Sequence, residues 1–293
     1  MRTTVLRFVA LAWLVMLVLP PRAAAAQSAR TLEDIVYATV DGRELKLDLY
    51  LPANVQSPPL LVWVHGGAWT TGTKANPPRA FVEHGFALAS VDFRQSADAR
   101  FPAQVHDIKG AIRFLRARQA QYGFRADRVA IAGSSSGGHL AALVGVTNGH
   151  RELEGTVGGN LERSSSVQAI VDYFGASNLT TILAQSTPFG LNMRRPALER
   201  LLGALPDSAR ALAELASPVR HVDRADPPLF LLHGDQDPQM PVNQSLELQG
   251  AYEKLGLAAE LRIIHGAAHG GGVFFSPQYL DPVLAFLRRT IAR

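Results

Sequence analysis

Six short, mostly apolar runs punctuate this chain, at residues 60–64, 86–91, 129–132, 167–173, 229–232 and 261–264. A strand with one wet face alternates apolar and polar residues. A run as continuous as Leu60-Leu61-Val62-Trp63-Val64 instead suits a strand buried on both faces. Helix-like segments separate most of the runs, at 77–84, 108–120, 137–147, 244–255 and 280–292. In the second of these, Ile108, Ile112 and Leu115 fall on one stripe, and the basic residues between them are expected to face solvent. Buried strands alternating with helices predict an α/β fold: a mostly parallel central sheet with helices on both faces. Upstream, 34–51 reads as a hairpin turning at Asp41-Gly42, a strong two-residue turn signal.

The first residues obey different rules. Arg2 and Arg7 precede an apolar run at 8–19, Pro20-Pro21 breaks it, and Ala23 to Ala26 offer a small-residue cleavage site. That is the pattern of a secretory signal peptide, expected over 1–26. The run of about twelve residues is shorter than the roughly twenty needed to cross a bilayer. The reading therefore predicts an exported, periplasmic or secreted protein without a stable membrane anchor. The formal net charge of +4 shrinks to +1 once Arg2, Arg7 and Arg22 are set aside, leaving 26 basic against 25 acidic residues. No basic cluster of the kind a phosphate backbone requires is present, so nucleic acid is not expected as a partner. The chain has no cysteine. An exported protein without disulfides must rest its stability on a core, and residues 27–293 suffice for one domain.

The most specific local signal follows the run at 129–132. Gly133-Ser134-Ser135-Ser136-Gly137 breaks that strand, and small and apolar residues then resume as a closely packed helix. Gly-x-Ser-x-Gly between strand and helix is a nucleophile elbow, a strained turn that lifts the middle serine, Ser135, off the C-terminal edge of a sheet. Glycines flank it because strand and helix approach too closely for a Cβ. An alkoxide nucleophile needs a base, an orienting carboxylate and donors for an oxyanion. The acid is offered after 229–232 by Asp235 or Asp237, and the base after 261–264 by His265 or His269. His265 still belongs to the strand end, whereas His269 sits four residues into a glycine-rich loop that can reach back to Ser135. Upstream, His65-Gly66-Gly67-Ala68-Trp69 ends a strand with a glycine pair whose N–H groups can face an oxyanion. The expected donors are Gly67 and Ala68, joined by the N–H of Ser136. Trp69 is placed to line an acyl or alcohol pocket, with a core or lid contact as the other reading of its position. Residues 176–226 carry no strand run, and over this edge they are expected to form a lid. His139 and His233 are expected to be structural and His106 a surface helix residue. No histidines show ligand spacing with carboxylates, so no catalytic metal and no cofactor are expected.

These residues resemble the α/β-hydrolase superfamily, and within it the bacterial serine esterases that carry a His-Gly-Gly-x-Trp loop. His65 to Trp69 look like that loop. Asp92-Phe93-Arg94, Phe101-Pro102-Ala103 and Asp107 look like a second shared block, in which Arg94 and Asp107 are expected to form a partly buried ion pair behind the site. Gly133 to Ala141 look like the elbow and its helix. His233-Gly234-Asp235-Gln236-Asp237-Pro238-Gln239-Met240-Pro241 looks like the acid loop, with Asp237 at the acid position, and Gly266 to Gly271 look like the histidine loop. Hormone-sensitive-lipase-like members usually carry Asp where this chain has Ser134 and a third Gly where it has Ala68. The chain therefore looks closer to the lipase/feruloyl-esterase-like branch, with the hormone-sensitive-lipase-like branch as the alternative.

The resemblance implies a serine carboxylic-ester hydrolase with Ser135, Asp237 and His269 as triad, acting on small-molecule or polymeric esters, of short- to medium-chain or plant-wall type. Two other classes share the scaffold. Prolyl-oligopeptidase-type peptidases use the same acid loop but carry a large propeller, and here only about fifty residues precede the run at 60–64. Non-catalytic binding proteins usually lose a triad member, and none is missing.

Overall fold

The computed structural model describes residues 28–292, so the expected signal segment lies outside the described residues. Strands β1 (Arg30–Val40) and β2 (Arg43–Leu51) form the expected hairpin, and Asp41 and Gly42 turn it with φ of 49° and 80°. The chain continues through β3 (Pro59–Val64), α1 (Ala80–Glu83), β4 (Ala87–Val91), α2 (Ala103–Tyr122), β5 (Arg125–Ser134) and α3 (Ser136–Gly145). After α4 (Arg151–Glu154) and β6 (Ala169–Tyr173) come three helices, α5 (Ile182–Gln185), α6 (Pro188–Leu202) and α7 (Arg210–Leu215). Then follow β7 (Leu229–Gly234), α8 (Asn243–Lys254), β8 (Ala259–Ile264) and α9 (Pro277–Ile291).

The eight strands lie in the order β1-β2-β4-β3-β5-β6-β7-β8. The hairpin and the β2–β4 pair are antiparallel, and every pair from β4 to β8 is parallel. The chain lays β4 on one side of β3 and β5 on the other. Winding therefore reverses at β3, and the connections leaving β3 and β5 part to open a crevice at their C-terminal ends, where open α/β sheets bind ligands.

Strand periodicity sorts the core into two layers. Leu60, Val62, Val64, Val129 and Ile131 face α2, α3 and α8 in one apolar cluster, whereas Leu61, Trp63, Ala130 and Ala132 face α1 and α9 in the other. Two expectations are corrected. Lys109 and Arg113 on α2 do not face solvent. Both are buried and share Glu154 of α4, at 3.2 Å and 2.6 Å, because the 147–160 segment covers α2 on a second side. And 261–264 is not buried on both faces: β8 is the sheet edge, and of its residues only Ile264 is buried. Glu260 and Arg262 on this strand suit an edge that must not pair with another chain. The Arg94–Asp107 pair forms as expected, with the guanidinium on both carboxylate oxygens at 2.7–3.2 Å.

Candidate active site

Ser135 stands alone between β5 and α3 with φ 57° and ψ −123°. A non-glycine residue is strained there. Its N–H donates to the Tyr173 carbonyl (2.9 Å) and its carbonyl accepts from His139 (3.0 Å), which anchors the turn from both sides. A Cβ at Gly137 would lie 2.2 Å from the Val64 carbonyl oxygen, so the elbow tolerates no side chain where it presses on the end of β3.

Three other strand ends bring their loops to the serine. The loop after β8 carries His269, whose Nε2 lies 2.8 Å from Ser135 Oγ. The loop after β7 carries Asp237, whose Oδ2 lies 2.6 Å from His269 Nδ1. Asp237 Oδ1 accepts the N–H groups of Gln239 and Met240, both at 2.8 Å. Burial alone would raise the Asp237 carboxyl, but hydrogen bonds from His233 and His269 and the electrostatic attraction of the His269 ring hold it far below the usual carboxylate range. An ionised Asp237 only accepts. His269 Nδ1 therefore carries the proton, and Nε2 is left to accept from the serine hydroxyl. Of the two pairs open in the sequence, only Asp237 and His269 meet Ser135. Asp235 and His265 pair with each other at 2.8 Å on the exposed side of the same loops.

The loop after β3 closes the fourth side. Its Gly67 carbonyl accepts the N–H groups of Thr70 and Thr71, both at 3.0 Å, and Ala68 and Trp69 take φ of 54° and 59°. A Cβ on Gly66 would stand 2.9 Å from the Ser134 carbonyl oxygen and 3.3 Å from Ser135 Cβ, so this loop lies directly against the elbow. The N–H groups of Gly67, Ala68 and Ser136 have no acceptor among the described residues. Ser136 opens α3, where the first N–H groups of a helix lack intrahelical partners and favour negative charge. Three free donors beside a hydroxyl are an arrangement able to hold an oxyanion.

Trp69 corrects an expectation. It does not line the cavity above Ser135. It is 1% exposed within the α3-side core, where its Nε1–H donates to His139 Nδ1 at 3.0 Å. His139 Nε2–H in turn donates to the Ala216 carbonyl at 2.7 Å. Burial pushes the His139 imidazole down to about 4, so it is neutral and ties the β3 loop through α3 to the end of the 176–226 segment. His233 is structural too: Nδ1 accepts from Ser245 Oγ (2.7 Å) and Nε2 donates to the Met240 carbonyl (3.0 Å), fixing the acid loop.

Sequence reasoning missed three residues. Phe174, just past β6, sets its ring edge-on to His269, with centroids 4.7 Å apart. Arg194 of α6 is buried, lines the cavity and donates to the Gln239 carbonyl in the acid loop. Asp172 on β6 lies beneath the elbow. Its Oδ1 accepts from Gly175 (2.8 Å) and its Oδ2 has no partner. An acid within an apolar strand run and an arginine within 176–226 carry no local signal of this placement. The cavity measures about 1050 Å³, and Trp63, Phe174, Met193 and Phe275 give it apolar walls.

Burial pushes the Asp172 carboxyl up to about 7, partly offset by the Gly175 N–H. Below about pH 4 the group is protonated in folded and unfolded chains alike and adds no pH-dependent cost. Between about pH 4 and 7 the unfolded chain ionises while the folded one stays protonated, so stability falls across that window by on the order of a few kcal/mol. Asp172→Asn keeps the acceptor for Gly175 and removes the penalty. Thermal melts should show a higher Tm than the parent at about pH 8 and little change at about pH 4; equal shifts at both would refute the argument.

The sheet, the reversal at β3 and the serine elbow at the crevice define an α/β hydrolase. A family model described as BD-FAE matches residues 47–252, and the chain belongs to that family. Among curated relatives, the probable carboxylic ester hydrolase LipM of Mycobacterium tuberculosis is 32% identical over 72% of this chain and 49% of its own length. Esterase LipQ of the same organism is 34% identical over 92% and 63%. The chain thus spans about half to two-thirds of those relatives. Among solved structures, a truncated carbohydrate esterase from gut microbiota superposes with a TM-score of 0.81 at 30% identity, covering 91% of this chain and 98% of that one.

Proposed function

We propose that this protein is a serine carboxylic-ester hydrolase working through an acyl-enzyme, with Ser135, His269 and Asp237 as its triad. The observation that carries the reading is the continuous relay Ser135 Oγ–His269–Asp237, at 2.8 Å and 2.6 Å, beside three unpartnered N–H groups. Ser135 Oγ attacks the ester carbonyl carbon while Nε2 takes its proton. Asp237 holds the tautomer and stabilises the imidazolium. The N–H groups of Gly67, Ala68 and Ser136 receive the oxyanion, each good donor lowering the barrier by roughly 3–4 kcal/mol. Nε2–H then protonates the departing alcohol. Water, deprotonated by the same nitrogen, releases the acid and restores the serine.

The names of the relatives support an ester as substrate, and the apolar walls suit acyl chains of short to medium length or aromatic plant-wall acids. Residues 176–226 are read as a lid, because α6 contributes Met193, Arg194 and Arg200 to the cavity wall. The charge and apolar pattern of 1–26 supports export by a cleaved signal peptide. Among the described residues, no helix is long and apolar enough to cross a membrane.

A fluorophosphonate probe tests the reading, since it reacts only with an activated serine. Peptide mapping should find the adduct on Ser135, and p-nitrophenyl butyrate should be cleaved far faster than matched aminoacyl anilides. No adduct on Ser135, or faster anilide cleavage, would overturn it.

A further inference from the structure

The cavity over Ser135 is bordered by three arginines, Arg79, Arg194 and Arg200, and by no aspartate or glutamate. None of the three pairs with a carboxylate among the described residues. Arg79 and Arg200 are exposed, and the Arg79 guanidinium lies 3.5 Å above the Tyr50 ring. Arg194 is the unusual one. It is 6% exposed, one Nη donates to the Gln239 carbonyl, and its Nε has no acceptor.

A buried cation without a counterion is costly, and proteins avoid it. The other buried cations obey that rule, since Lys109 and Arg113 share Glu154. The acid whose field reaches Arg194 is Asp237, which is already committed to His269 and two backbone N–H groups. Burial lowers Arg194 only to about 10, so it keeps its charge at neutral pH. Tying α6 to the acid loop uses one nitrogen and leaves the rest of a planar fork suited to a carboxylate. A concave, one-signed site with low-dielectric walls also concentrates ions of the opposite sign.

We propose that the cavity takes esters bearing a second, ionised carboxylate besides the scissile ester, held by this arginine-lined wall. The proposal rests on the ester-hydrolase reading and narrows it. The charge supplies selectivity between esters of like size, and the apolar walls accept the rest of the molecule.

Two matched pairs test it: mono-p-nitrophenyl glutarate against its terminal amide, which places the charge on the acyl side, and 4-acetoxybenzoate against 4-acetoxybenzamide, which places it on the alcohol side. kcat/KM is normalised to each ester's hydroxide-catalysed rate. In at least one pair the carboxylate should be preferred roughly tenfold, the effect of one hydrogen bond to a charged group. That preference should shrink at about 1 M salt, where screening falls to roughly 3 Å. It should also fall toward unity in Arg194→Gln and, should that buried variant fail to fold, shrink by about half or more in the exposed double variant Arg79→Gln/Arg200→Gln, which removes two of the three positive charges; a preference unchanged in the folded variants overturns the proposal. Equal or better use of the amide in both pairs overturns the proposal and leaves the hydrolase reading standing, as does a preference indifferent to salt. No turnover of any of the four esters, together with no fluorophosphonate adduct on Ser135, removes the hydrolase reading and this one with it.

Discussion

Ser135→Ala should lower kcat for p-nitrophenyl butyrate by about 10⁴-fold or more, leaving the residual rate that oxyanion donors and binding alone supply. The variant keeps φ 57° at the elbow and the N–H contact to Tyr173, so circular dichroism and melting should match the parent. Groups that act as one unit lose their effect together. His269→Ala added to Ser135→Ala should therefore cost almost nothing further. Ser135→Gly separates strain from chemistry: glycine adopts a positive φ without a Cβ penalty, so this variant should be as inactive as Ser135→Ala yet more stable to urea by about 1 kcal/mol. Retained turnover in Ser135→Ala would remove the serine mechanism, and a Ser135→Gly less stable than the alanine variant would remove the strain.

The second large effect belongs to Asp237. In Asp237→Asn the side-chain oxygen stays with the N–H groups of Gln239 and Met240, its two 2.8 Å donors, which turns the amide NH₂ toward His269. An NH₂ only donates, so Nδ1 must accept and the ring proton moves to Nε2. Nε2 then offers a hydrogen to Ser135 instead of taking one, and kcat should drop by about 10⁴-fold with the fold intact. Asp235→Asn is the matched control. That residue pairs with His265 at the surface, and its loss should change kcat by less than about threefold, in keeping with exposed pairs of small energetic weight. Stopped assays of both variants at one pH decide the matter, and comparable losses in the two would mean that the acid is not Asp237.

Much of this was legible in one dimension because it depends on neighbours along the chain. In the sheet interior an unbroken apolar run is dry on both faces, which is why β3, β4, β5 and β7 start and end within a few residues of their expected positions, while the run at 261–264 fell on the edge. Asp41-Gly42 turns a hairpin through its own φ angles. The elbow was equally local, since the constraint on Gly137 acts across a few residues and one neighbouring strand. The choice of Asp237 over Asp235 and of His269 over His265 followed from motif position and loop reach, and two loops from separate strands bring those side chains to one serine.

What failed, failed for want of knowing what covers what. Trp69 has the bulk and position of a pocket residue, yet a left-handed turn at Ala68 and Trp69 and a hydrogen bond to His139 carry it into the core. Lys109 and Arg113 have the spacing of a wet helix face, and Glu154 from 40-odd residues downstream turns that face inward. The strand and helix pattern, the elbow and the order of its partners belong to the sequence, because short-range sterics and hydrophobic periodicity determine them. The unpaired charge of Arg194 and the burial of the Asp172 carboxyl with one oxygen unpartnered were decided by tertiary structure alone. Burial and the absence of a counterion are properties of which distant segments meet, and no residue carries those in its own neighbourhood.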